Sequence, residues 1–539
     1  MQAGVGFVMR ELLLKRLVLY LVIILAGISI GWASSHLLAG KQVKAASSAN
    51  DSEFLPIIYK SYPYDWLQFN GDAWHSGNNR METAISVSTV GSLHLLFQIS
   101  LPGIADSSPV YLSNVSTPSG LRDLIFVTTR DGKILALDAK TGTLVWSKQY
   151  GPAGCLVNNN QTRNEPCYTT SSPAIDPDRE YIYSYGLDGY VHKYAVADGT
   201  EIMTGGWPEL TSLKAYDEKG SSALSIATAA NGISYLYVAH AGYPGDAGNY
   251  QGHVTSINLF DGTQKVFNSL CSNQTSHFVD SRITTGADCY PNSMGAIWAR
   301  PGVVYDPYHD RILMATGNGT FQPGSFLWGD TVFSLNPDGS GAGGRPLDSY
   351  TPSDYQYLQE YDLDLGSTAP AILPPTGGKY PHLAVQGGKD SILRLINLDN
   401  LSGQSGVGFT GGEIFTTTVP MGGQILPQPA VWTNPADHTT WIFVSDNSGM
   451  AAYQLTVSGA GDPSLILKWT SEGGTSPLVA NGVIFIAHSN LIRALNPTDG
   501  SLLWSDSRIG AIHWESPIVA HGMLYITDSS GYLTSFTLP

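Results

Sequence analysis

Charge is scarce in this chain. Only 13% of its 539 residues are Asp, Glu, Lys or Arg, and 28 basic residues face 44 acidic ones, a net charge of −16. Nucleic-acid phosphates are normally held by clustered Lys and Arg, so no nucleic-acid partner is expected. Cysteine is scarcer still. The four residues include no C-x-x-C-H and no vicinal pair, so no covalent haem is encoded. Cys155 and Cys167 lie 12 apart, and Cys271 and Cys289 lie 18 apart. These spacings lack the C-x-x-C form that makes a metal reading strong. Two local bridges, Cys155–Cys167 and Cys271–Cys289, are the simplest of three connectivities and suit an oxidising exterior. Each would contribute about 3 kcal/mol.

Long apolar runs are confined to the N-terminus. Between Arg16 and Lys41 lie 24 residues without a Lys, Arg, Asp or Glu, and Leu17 to Ala33 holds ten Leu, Ile or Val. On an insertion scale those ten favour the bilayer by about 3 to 6 kcal/mol. Arg10, Lys15 and Arg16 should keep the N-terminus cytoplasmic and send the rest of the chain outside. Residues 1–40 are therefore expected to form a transmembrane helix, kept as an anchor or cleaved as a signal segment. Residues 41–64 read as a flexible tether, leaving the protein single-pass at the cell membrane or secreted.

What is abundant is glycine, 59 residues, in a pattern that repeats. Eight times a short opening leads into an apolar run, a Gly/Asp/Asn turn, a second alternating run and a further turn. The openings are Ser108-Pro109, Ser172-Pro173, Ser222-Ala223, Arg300-Pro301, Ala369-Pro370, Gln428-Pro429, Ser476-Pro477 and Ser516-Pro517. Such a period predicts an all-β, eight-bladed β-propeller of four-stranded antiparallel blades over residues 65–539. A propeller grows by adding blades that cover one another's faces, so one large domain accommodates this length. The last copy stops at Pro539 before its final strand. Residues 91–101 resemble that missing strand and are expected to close the ring.

Ala136-Leu-Asp-Ala-Lys-Thr-Gly142-Thr-Leu-Val-Trp146, and more loosely Ala494-Leu-Asn-Pro-Thr-Asp-Gly500-Ser-Leu-Leu-Trp504, resemble the tryptophan-docking repeat of pyrroloquinoline quinone (PQQ) propellers. The resemblance implies that Trp146 and Trp504 pack against neighbouring blades. Ala315-Thr-Gly-Asn318-Gly319 is similar to the family segment whose Asn binds Ca²⁺ or a lanthanide, which implies a metal role for Asn318. Val385-Gln-Gly-Gly-Lys389 is similar to the segment whose cation contacts the quinone oxygens, which implies that role for Lys389. Glu360-Tyr-Asp362-Leu-Asp364-Leu-Gly366 resembles the stretch that carries the catalytic Asp; Asp362 fits one register and Asp364 the other. The family's floor Trp would align near Arg300, with Trp298 two positions away, and its metal-binding Glu near Asp246. An Asp there could still ligate a hard cation.

Each residue also has a plain reading. Asn318 suits a tight turn, Asp362 and Asp364 suit solvated loop acids, and Lys389 suits a turn. His513-Trp514-Glu515 suggests a central contact, although His513 is expected to be structural. Extensions at 147–171, 240–251, 268–299, 316–330 and 339–368 are expected to build up one face of the ring. Two functions follow. One is an extracytoplasmic quinoprotein dehydrogenase that oxidises an alcohol or hydroxyl substrate with PQQ and Ca²⁺ or a lanthanide, passing electrons to a separate acceptor. The other is a non-catalytic propeller that serves as an envelope binding or assembly scaffold.

Overall fold

The computed structural model describes residues 64–150, 156, 165–274, 293–404 and 406–539. The N-terminal helix expected within 1–40, nearly all of the tether, Cys155 and Cys289 lie outside this set. Among the described residues no helix is long and apolar enough to cross a membrane. Neither described cysteine, Cys167 nor Cys271, is a free thiol.

The chain forms eight antiparallel blades. Blade 1 runs through Val110–Thr117, Gly120–Thr128, Lys133–Asp138 and Leu144–Gln149. Blades 2 to 7 follow in chain order as antiparallel meanders, and blade 7 gains a short extra strand, Asn78–Asn79, paired parallel with Leu478–Ala480. Blade 8 takes Ile518–Ala520, Met523–Thr527 and Tyr532–Thr537 from the C-terminus, and its fourth strand is His94–Ser100. That strand pairs antiparallel with Tyr532–Thr537, from His94 opposite Thr537 to Ser100 opposite Tyr532, with a bulge between Leu95 and Phe97. The ring is thus sewn shut by the two ends of the propeller, and Tyr532–Thr537 is left with no open edge.

The inner strands are apolar and buried on both faces, and successive side chains alternate between the two neighbouring blades. Ile125, Val127, Leu135 and Leu137 of blade 1 pack with Leu524, Ile526, Leu533 and Phe536 of blade 8, while Leu124, Phe126 and Ile134 face Ile182 and Tyr194 of blade 2. Each blade therefore buries both faces against neighbours.

Tryptophans fasten these contacts. Trp146 Nε1 donates to the Val196 carbonyl at 3.0 Å, and its ring lies over Gly199, where a Cβ would sit 2.7 Å from the indole. Gly199 also has φ +71°, so only glycine meets both demands. Trp469 repeats the arrangement with the Pro497 carbonyl and Gly500, and Trp504 donates to the Leu93 carbonyl.

Two kinds of connection emerge on one face of a propeller: those between blades, and those between second and third strands. Most of the expected extensions are of these kinds. Residues 339–368 are a partial exception, because the strand Asp348–Tyr350 falls inside them as the fourth strand of blade 4. Only 351–368 joins blades 4 and 5. It contains the short helix Tyr355–Tyr361, which ends in a left-handed Asp362.

Candidate functional site at the ring axis

Five connections on that face converge. Asp246 comes from the loop between the second and third strands of blade 3, and Asn318 from the same loop of blade 4. Lys389 comes from the same loop of blade 5. Asp362 and Asp364 lie in the connection from blade 4 to blade 5, and Trp298 in the connection from blade 3 to blade 4.

Close backbone packing makes the meeting possible. A Cβ on Gly317 would fall 2.5 Å from Asp364 Oδ1, and one on Gly366 would fall 2.4 Å from the Thr316 carbonyl carbon. With glycine at both places, the turn 316–318 lies directly on the turn 364–366.

The polar contacts follow from this. The Asn318 N–H donates to Asp364 Oδ1 at 2.6 Å, and Asn318 Nδ2 donates to Asp362 Oδ1 at 2.9 Å. The Lys389 ammonium lies 2.6 Å from Asp364 Oδ2 and 2.9 Å from Asp362 Oδ1. Burial alone would lower the Lys389 pKa, but Asp364 first and Asp362 second outweigh it and hold it above the ordinary value. The two aspartates differ sharply. The side chain of Asp364 is 4% exposed and that of Asp362 is 67% exposed, so Asp364 lies at the centre and Asp362 at the rim.

Asp246, Asp362 and Asp364 each offer a carboxylate oxygen, and these atoms lie within 4.8 Å of one another. Burial, then the Asp364 charge, pushes Asp246 up to about 6, although Tyr250 donates its hydroxyl to Asp246 Oδ1. Asp330, which carries no motif in the sequence, joins the group. Burial and Asp364 push it up to about 8; its Oδ1 accepts the Leu365 N–H, while its Oδ2 is buried without a partner. Asn318 Oδ1 is likewise buried and unpartnered. An all-oxygen set with two orphaned buried acceptors and several confined carboxylates fits a hard cation such as Ca²⁺ or a lanthanide.

The aromatic side is arranged differently from the sequence expectation. Lys389 Nζ lies 5.3 Å from the centre of the Trp298 ring. Trp514 stacks on Trp298 with centroids 5.9 Å apart and planes 7° from parallel, and the Arg300 guanidinium lies 4.2 Å from the Trp514 ring centre. Arg300 is buried, bonds the carbonyls of His513 and Trp514, and has its pKa lowered by burial to about 10. It therefore faces blade 8 and not the carboxylates. Rings this close are already in stacking contact, so a planar cofactor fits against this face of Trp298 only with Trp514 moved aside. Trp514, Arg300 and His513 line a cavity of about 560 Å³ shared with Asp446, Glu472 and His488, and neither Trp298 nor Lys389 lines it. His513 itself pairs with buried Asp106 at 2.8 Å.

Comparison with known proteins agrees with the architecture. A family model described as outer membrane protein assembly factor BamB matches residues 108–202. That match spans 95 of the 539 residues and is consistent with a PQQ-repeat β-propeller. A europium-containing methanol dehydrogenase superposes with a TM-score of 0.63 at 14% identity, over 89% of this chain and 99% of that one. The quinohemoprotein alcohol dehydrogenase ADHIIG of Pseudomonas putida HK5 gives 0.59 at 13% identity, over 88% and 80%. That of Comamonas testosteroni gives 0.55 at 15% identity, over 88% and 80%. Identities this low speak to the fold alone. No curated protein matches the sequence.

Proposed function

We propose that this PQQ-repeat propeller is a quinoprotein-type dehydrogenase acting on an alcohol or related hydroxyl substrate. The observation that carries this reading is the convergence of Asn318, Asp364 and Lys389. They come from three separate connections spread over 71 residues of sequence, and packing alone gives no reason for them to meet. Asn318, Asp246 and Asp364 would hold the cation, with Asp362 at the rim. Lys389 and Trp298 would face the quinone, which supplies the hydride acceptor when bound. Asp364 is placed to take the hydroxyl proton, because its carboxylate is buried among donors that fix its orientation. Lys389 would supply a fixed positive charge where the bound quinone's oxygens gain negative charge.

The proposal extends to the setting. The apolar segment before Lys41 would anchor the chain with the propeller outside, Cys155–Cys167 and Cys271–Cys289 would be bridged, and electrons would leave to a separate acceptor. A second reading, a binding or assembly scaffold, is favoured by one observation: Trp514 covers the face of Trp298.

Reconstitution of the full chain with PQQ and Ca²⁺ or a lanthanide separates the two. The dehydrogenase reading expects a shifted quinone absorbance and alcohol-dependent dye reduction. Asp364→Asn should lose the reduction and keep the quinone. Absence of both signals in the wild type would leave the scaffold.

A further inference from the structure

On the opposite face of blades 4 and 5, a second group of ligating side chains meets. His309 lies in the turn between Val304–Asp306 and Arg311–Ala315 of blade 4. His382 immediately precedes Leu383–Gln386 of blade 5, and Asp399 follows Ile392–Asn397. Asp399 Oδ1 lies 3.0 Å from His309 Nε2 and 2.9 Å from His382 Nδ1, so both imidazoles point at one carboxylate oxygen. The ligating atoms of all three lie within 4.8 Å of one another. Behind them, His309 Nδ1 bonds Asp306 Oδ2 at 2.7 Å, and Asp306 is 2% exposed. Tyr308 stacks on His382 with centroids 4.8 Å apart, and its hydroxyl donates to the Leu373 carbonyl at 3.2 Å.

We infer that His309, His382 and Asp399 form a binding site for a borderline divalent transition metal, such as zinc or cobalt, that ties blade 4 to blade 5. Two imidazoles and one carboxylate are a donor set for such ions, whereas the axial cluster is all oxygen and suits hard ones. Three protein ligands leave a fourth position for water, and the side chains of His382 and Asp399 are 28% and 37% exposed, so the site is reachable. The two spacings to Asp399, near 3 Å, approach the roughly 3.4 Å expected around a tetrahedral ion with bonds of about 2.1 Å, and the third lies within 4.8 Å. The buried Asp306 fixes which nitrogen of His309 faces outward, as carboxylates behind metal-bound histidines do. The site is independent of the function proposed above. It lies beneath the two blades that supply Asn318 and Lys389, so its occupancy would brace their contact.

The test is a Co²⁺ titration of the chelator-stripped full chain in excess Ca²⁺, which fills oxygen-only sites, read by visible ligand-field absorption. One equivalent should give a saturable band that Zn²⁺ removes. His382→Ala should abolish the band, and Asp306→Asn should weaken Co²⁺ binding about 10- to 100-fold. Far-UV circular dichroism checks folding, and Asp399→Asn serves in place of His382→Ala if that variant does not fold. A wild type without the band, or a band unchanged in the folded ligand variant, would overturn the site. Unchanged affinity in Asp306→Asn would overturn the supporting role of Asp306.

Discussion

The Lys389 ammonium lies 2.6 Å from the Asp364 carboxylate, and the Lys389 backbone N–H donates to the Asp364 carbonyl at 3.1 Å. Side chain and main chain thus clasp the same two residues together. The loop of blade 5 is fixed to the connection that enters the blade, and the carboxylate is held in one orientation. A group placed this way is pre-organised for charge chemistry, because little has to move when charge develops beside it.

Trp514 covers one face of Trp298. The stack between them is worth roughly 0.5–1.5 kcal/mol, which a planar cofactor binding to that face must first break. Trp514→Ala should therefore tighten PQQ binding by up to about tenfold, measured by quenching of intrinsic fluorescence. Weaker binding in the variant would show that Trp514 contributes a surface to the cofactor and does not block it.

Acidity should separate cation-free from cation-loaded protein. Asp246 and Asp330 have folded-state pKa values of about 6 and about 8, raised above the usual carboxylate range by burial and by Asp364. Between about pH 4 and 8 the folded state therefore holds more protons than the unfolded one, and their contribution to stability is lost as pH rises through those values. A cation needs the same carboxylates deprotonated. Added Ca²⁺ should raise the melting temperature at pH 8 and have little effect at pH 5, seen by differential scanning calorimetry. Equal shifts at both pH values would argue against these residues as ligands.

Trp146→Ala should destabilise the propeller by about 3–5 kcal/mol, because it empties the contact with Gly199 and removes the bond to the Val196 carbonyl. Chemical denaturation would report the change. A loss below 1 kcal/mol would mean that the girdle contact is dispensable.

Deleting residues 94–100 should expose the edge of Tyr532–Thr537. Light scattering is expected to show aggregation. A monomeric, fully folded deletion variant would show that closure does not require this strand.

Much of the ring was legible because repetition is a strong signal. Eight similar openings, 40 to 78 residues apart, mark eight blades, and a final copy lacking one strand points to the unassigned segment before Ser108. Trp146 and Trp504 follow Gly-containing turns that identify their role. Trp469 docks in the same way, but it lies eight residues past its turn glycine Gly461, whereas Trp146 and Trp504 lie four past Gly142 and Gly500, so the pattern does not single it out. At the axis, local motifs point to Asn318, Lys389 and one of Asp362 or Asp364. They leave the choice between Asp362 and Asp364 open, because burial depends on how the helix Tyr355–Tyr361 ends. Asp330 and Tyr250 carry no local signature; only the folding of distant connections brings them to the site, whereas Trp514 lies in the His513-Trp514-Glu515 segment that suggests a central contact. Arg300 was placed with the cofactor by alignment, yet its side chain turns to the carbonyls of His513 and Trp514, the acceptors within its reach.

Terbium luminescence tests the central claim most directly. Tb³⁺ is a hard ion of the kind an all-oxygen site takes, and its emission is sensitised only by aromatic rings nearby; Trp298 and Tyr250 flank the carboxylates. The account predicts saturable emission at one equivalent in the wild-type chain, displaced by Ca²⁺ or La³⁺ and lost in Asp364→Ala. Emission that does not saturate, or that is undiminished in a folded Asp364→Ala variant, would contradict it.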